Sequence, residues 1–191
     1  MLRIFTSSAA AAALLSACAT PAPPPPMPMP EPAPVAVMQP SLSQAGMDCV
    51  VRAGASDMYE IEAGRLALQM SQNASVRSFA QMMIDQHTAS SAQMAAALQS
   101  INMAPPPPSL MPDQTQRLEM LRTAGTGFDA MYLQDQVAAH QQALALHQAC
   151  AANAGPPVSA VSAGLIPVVQ SHLNQAQALS TNWRGTAGER G

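Results

Sequence analysis

Residues 57–87, DMYEIEAGRLALQMSQNASVRSFAQMMIDQH, read as two helices joined by a polar turn, and the rest of the chain builds on that pair. The first helix runs to about Gln69, SQNAS forms the turn, and the second restarts near Ser75. Helical periodicity places Val50, Ala53, Ile61, Gly64 and Leu68 on one side of the first helix, with Arg52, Glu62, Arg65 and Gln69 away from it. Asp57 and Glu60 fall inside this apolar sector. On the second helix Val76, Phe79, Met83, Met94, Leu98 and Ile101 form the stripe. His87 lies in it, while Asp85 points outward. Each helix therefore carries an ionisable group toward a shared core, where an unpaired one is costly. Glu60 and His87 stand about 20 Å of helix from the turn, which puts them at one level.

Beyond Asn102, the run MAPPPPSLMP must end the second helix, because its prolines lack donors and crowd the preceding turn. Asp113 is placed to cap a short helix, DQTQRLEMLRTA, with Leu118 and Leu121 on one side. Gly125-Thr126-Gly127 breaks it. The next long helix runs from Phe128 to about Ala151. Its core stripe combines Leu133, Val137, Ala143 and Leu144 with Asp129, Gln136, His140 and His147. Ala154-Gly155-Pro156-Pro157 makes the following turn. A last helix, Val158 to Trp183, turns Val161, Leu165, Val168, Ala176, Leu179 and Trp183 inward with His172 at the centre of that face. Pro167 predicts a kink or restart, and residues 184–191 predict a disordered tail. Four long helices without a strand pattern make residues 46–183 an all-α four-helix bundle.

His140 and His172 both lie about 24 Å from the turn between their helices. Glu60, His87, His140 and His172 thus converge at mid-bundle, one from each long helix. His147 is about 10 Å further along, and Asp57 is one turn from Glu60. Imidazoles with carboxylate support suit iron, manganese, zinc or copper, and bundle cores commonly house such sites. Asp57 and Asp129 are candidates for supporting roles. The paired Glu-x-x-His motifs of a di-iron carboxylate centre are absent. A second reading stays open, in which the layer is purely structural and its hydrogen bonds only set helix register. No Ser or Cys stands beside the histidines, so nucleophilic catalysis has no support. The 14 methionines read as flexible core filler in a chain with only 3% aromatic residues.

The front of the chain carries a processing segment. Arg3 and the short apolar run Ile4–Leu15 read as a signal peptide over residues 1–17, too short to span a bilayer as a mature helix. Leu15-Ser16-Ala17-Cys18 resembles the bacterial lipobox, which implies lipidation of Cys18. Ala19 follows, with no inner-membrane retention residue, so outer-membrane anchoring on the periplasmic side is expected. Residues 18–45 are rich in proline and read as a semi-rigid polyproline stalk. The expected partner is the membrane, through the lipid. A net charge of −3 and no basic run exclude nucleic acid.

Three blocks carry a family resemblance: EIEAGRLAL…VRSFAQMMIDQH, GTGFDAMYLQDQVAAHQQALAL and LIPVVQSHLNQA. Together they resemble the ferritin-like domain of unknown function 4142 family over about residues 46–180. The resemblance implies a ferritin-like bundle in the bacterial envelope and no established activity. The family's recurrent polar positions correspond to Glu60, His87, Asp129, His140 and His172, whereas His147 has no counterpart. Asp85-Gln86-His87 departs from the commoner Asp-Asp-His, on a side expected to be exposed and of little consequence.

Two cysteines remain in the bundle, and an oxidising envelope predicts that they pair. Cys49 lies about 16 Å before Glu60 along its helix, and Cys150 about 15 Å beyond His140. With parallel first and third long helices, the sulfurs would be about 30 Å apart, far beyond disulfide reach. A ferritin-like crossover makes those helices antiparallel and brings the sulfurs level. The segment from Met103 to Gly127 is long enough for that crossover and needlessly long for a hairpin. A Cys49–Cys150 disulfide and a crossover between the second and third long helices are therefore expected together.

Overall fold

The computed structural model describes residues 42–188, with side chains through Trp183. The expected signal peptide, Cys18 and nearly all of the proline stalk lie outside the described residues. Among the described residues five α-helices follow in order: α1 Gln44–Met70, α2 Ala74–Gln99, α3 Pro112–Arg122, α4 Phe128–Asn153 and α5 Val158–Gly188, with a 3-10 turn at Gly125–Gly127. The fold is an all-α, ferritin-like four-helix bundle of α1, α2, α4 and α5. The segment carrying α3 crosses between α2 and α4. Among the described residues no helix is long and apolar enough to cross a membrane.

Local chemistry sets the helix ends. Ser43 caps α1 by accepting from the Gly46 N–H at 3.0 Å. Asn73 Oδ1 caps α2, accepting from the Ser75 and Val76 N–H groups at 2.9 and 3.2 Å. Each such cap is worth about 1 kcal/mol. The start of α3 differs from expectation: Met111 is the N-cap residue, Pro112 follows, and Asp113 lies inside the first turn. Proline has no N–H to satisfy and suits the first helical position, while Gln114 Oε1 accepts from the Met111 N–H at 2.8 Å.

The helix directions follow from paired contacts. Cys49 bonds Cys150, and Glu60 Oε1 lies 3.9 Å from His140 Nδ1. Advancing along α1 therefore means retreating along α4, so the two are antiparallel. Asp57 meets both His87 and Ser91, while a Cβ on Gly64 would stand 2.9 Å from the Ala80 carbonyl. Hence α2 also runs against α1, and α2 and α4 share a direction. Only a long crossover connects two such helices. At Gly64 α1 and α2 approach closely, because a side chain there would push into α2 backbone.

Two apolar clusters flank the middle of the bundle. One gathers Tyr59, Ala63, Val76, Phe79, Met83, Leu118, Tyr132 and Leu133. The other gathers Val50, Ala53, Leu98, Leu146, Cys150 and Val158. The buried surface of α1 is wider than the single expected stripe. Tyr59, Ala63 and Ala67 are buried, whereas Ile61 and Leu68 are only half-buried. The reason is α3, whose Leu118 and Leu121 join Tyr59 and Ala63 in one cluster, covering a second face of α1.

The last helix does not restart at Pro167: α5 is continuous there, and its backbone is helical to Gly188. Ala163 and Pro167 are both exposed, so the carbonyl that the proline leaves unpaired can bond water. Residues 189–191 lie outside the described part.

Candidate metal centre

Between the two apolar clusters lies a polar layer. α2 supplies His87, α4 His140 and α5 His172, each 4% exposed or less. Their ring centroids are 5.3 to 5.6 Å apart, all three in mutual contact. One ring nitrogen from each lies within 4.8 Å of the other two.

Each ring has one nitrogen facing an oxygen acceptor. His87 Nδ1 donates to Asp57 Oδ1 at 2.8 Å. His140 Nδ1 donates to the Gln136 backbone carbonyl at 2.9 Å. His172 Nε2 donates to Gln86 Oε1 at 2.7 Å. An acceptor on one nitrogen holds the proton there and leaves a lone pair on the other. The remaining nitrogens are His87 Nε2, His140 Nε2 and His172 Nδ1, and all three are buried without a hydrogen-bond partner. An oxygen partner behind each ring is the arrangement that orients imidazoles toward a metal and raises their basicity.

The carboxylates stand behind the rings. Asp57 accepts from His87 and, through Oδ2, from Ser91 at 3.0 Å. Glu60 Oε2 accepts from Gln136 Nε2 at 2.7 Å, and its Oε1 lies on the Nδ1 side of His140. The structure thus places Glu60 at the back of His140, away from its lone-pair nitrogen. Asp129 is elsewhere: it is half-buried in the first turn of α4, about 16 Å of helix from His140. His147 is buried two turns beyond His140, outside the three-ring group.

Electrostatics separates the rings. Burial drives His172 down to about 3, helped by repulsion from His87 and His140. Burial also lowers His140, against the attraction of Glu60. Burial would lower His87 too, but the Asp57 hydrogen bond and the charges of Glu60 and Asp57 raise it above the ordinary value. Two of the three imidazoles are therefore held neutral, the state that binds a cation. Three imidazole donors favour zinc, copper, iron or nickel over the hard, oxygen-loving cations.

Gln86 was the partner hardest to see in sequence. It occupies an exposed position beside His87 and was expected to matter little, yet its amide carbonyl selects the tautomer of His172. Gln136 was visible in the α4 stripe, but not that its carbonyl and amide serve His140 and Glu60 respectively.

Fold and layer together define a class: antiparallel helical bundles with a buried imidazole cluster that could hold a metal. Within it, the sequence matches the domain of unknown function DUF4142 over residues 31–179, and the chain belongs to that family. Several solved structures share the fold. A DUF305 fragment from Deinococcus radiodurans is 17% identical, with 75% of this chain and 99% of that one aligned at a TM-score of 0.65. CopM in its Cu(I)-bound form is also 17% identical, with 74% and 99% covered at 0.61. Its Cu(II)-bound form aligns over 72% and 97%, again at 17% identity and 0.61. No curated protein sequence matches the chain.

Proposed function

We propose that this protein is an envelope metal-binding lipoprotein whose bundle holds one transition-metal ion on His87, His140 and His172. The observation that carries the reading is the set of three buried, unpartnered nitrogens whose rings are each fixed from behind by an oxygen. A purely structural layer has no use for three such orphans, each a desolvated polar atom costing about 1–3 kcal/mol. A tetrahedral ion with bonds of about 2.0–2.1 Å draws its nitrogens to about 3.4 Å of one another, so modest ring movements suffice. Asp57 and Glu60 balance the charge of a divalent ion without binding it directly. Copper is the first candidate, because the bundle resembles CopM, which is solved with Cu(I) and with Cu(II). Storage, stress protection and redox chemistry are all compatible roles.

Metal analysis of the mature domain, purified without a His-tag and reconstituted, tests the site. Wild type should retain one ion per chain, and His140→Ala should retain none while staying helical. Equal content in both, or none in either, sinks the reading. Anchoring is tested by Cys18→Ser, which should move the protein from the membrane to the soluble periplasmic fraction, since the acyl chains would hold it there. Unchanged membrane association would remove the lipoprotein part.

A further inference from the structure

A cleft of about 290 Å³ opens on the surface between α1, α3 and α4, with Arg52, Ser56, Tyr59, Glu60, Arg117 and Gln142 among its walls. Its floor is unusual. Glu60 is only 1% exposed, yet it lines this open cleft. One carboxylate oxygen is held by Gln136, while Oε1 accepts no hydrogen bond from any described residue and lies 3.9 Å from the His140 ring. The Gln136 side-chain carbonyl next to it is likewise buried and unpartnered. Glu60 thus joins the two regions, lining the cleft and standing beside His140 of the three-histidine layer.

The cationic wall does not close this route. Arg117 donates to Asp135 Oδ1 at 2.7 Å and lies over the Tyr59 ring at 4.5 Å, so its charge is locally matched. Arg52 is exposed. Asp113 adds a negative charge to the same walls.

A second groove reaches the layer from the opposite carboxylate. It has a volume of about 380 Å³ and is lined by Val50, Gly54, Met94 and the prolines at 105–108, with Asp57 as its acid. Both oxygens of Asp57 are engaged, by His87 and Ser91. Each Asp57 oxygen already accepts one hydrogen bond, whereas Glu60 Oε1 accepts none from a described residue, so Glu60 is the better first oxygen ligand for an entering hydrated cation.

We propose that the α1–α3–α4 cleft is the port through which a hydrated divalent cation reaches the three-histidine site, with the Glu60 carboxylate as its first protein ligand. This rests on the metal-binding reading above. The ion exchanges water for Glu60 Oε1 on the Nδ1 side of His140, then passes the edge of that ring to reach the free nitrogens of the three imidazoles. Glu60 stays behind as a balancing charge.

Stopped-flow mixing of the metal-free full chain with aqueous Cu(II), followed by release to a chelator, tests the port. Ser56→Phe narrows the cleft from its half-buried wall without touching the layer. It should slow both loading and release by about tenfold or more, leaving affinity unchanged, because it raises one barrier crossed in both directions. Glu60→Gln, nearly isosteric, should slow loading by a similar factor. Ala95→Phe in the proline groove should load at the wild-type rate. Wild-type loading in Ser56→Phe or in Glu60→Gln, or slowing by Ala95→Phe instead, overturns the port while leaving the three-histidine site intact. Failure of the wild type to bind Cu(II) at all overturns the site and the port together.

Discussion

Around the Cys49–Cys150 bridge the long helices meet through Val50, Ala53, Leu98, Leu146 and Val158, an apolar layer sealed by a covalent bond. Three turns further along α1, the same helices meet through Glu60, His87, His140 and His172, a layer of buried polar groups. The first layer gains from burial at about 25 cal/mol per Å² of apolar surface. The second gains little, because each ionisable group taken from water must be repaid by a partner, and three nitrogens have none. The contrast teaches how one bundle divides its tasks. Apolar ends and a disulfide supply stability, which lets the middle keep a layer that a stability optimum would not contain.

The largest break in this contrast comes from the bridge. Its sequence separation is 101 residues, and losing a native disulfide of this kind costs about 2–5 kcal/mol. The double variant Cys49→Ala/Cys150→Ala should lose that much in urea unfolding and still take up metal. A variant as stable as wild type would show that the bridge is incidental, and one unable to bind metal would show that the two layers are coupled.

Acidification should produce a smaller loss, confined to the polar layer. In the folded metal-free protein, burial lowers His140, His147 and His172, the last to about 3. Unfolded histidines titrate near about 6.5. Below that value the unfolded chain takes up protons that these three folded rings refuse, so stability falls as pH drops from about 6.5 toward 3. His87 works in reverse: its raised value contributes stability below about 6.5 that is lost as pH rises through its folded pKa. With three rings against one, the urea midpoint should decrease on acidification, and less steeply in His172→Asn. A midpoint that rises on acidification would contradict the assignment.

The smallest effect sharpens the comparison at one atom. Gln86→Ala removes only the acceptor behind His172. Outer partners of metal ligands are typically worth about tenfold or more in affinity, so copper binding should weaken by roughly that factor with the fold unchanged. Affinity equal to wild type would mean that Gln86 does not set the tautomer.

Much of this architecture could be read along the chain, because intrahelical hydrogen bonds fix rise and rotation per residue. That regularity brought His87, His140 and His172 to one level. Combined with the length of the 103–127 segment, it also required α1 and α4 to run antiparallel if Cys49 and Cys150 were to meet. Local spacing had no power over relations between helices. The second buried face of α1 appears only when α3 lies against Tyr59. Which nitrogen of each ring is free depends on Asp57, the Gln136 carbonyl and Gln86, and Gln86 reaches His172 from another helix. Glu60 was placed correctly in level, yet only tertiary packing put it behind His140 and beside a cleft. The physical reason is that sequence spacing determines position along and around one helix, whereas the facing partner depends on rotamers and on how neighbouring helices are rotated and shifted against it.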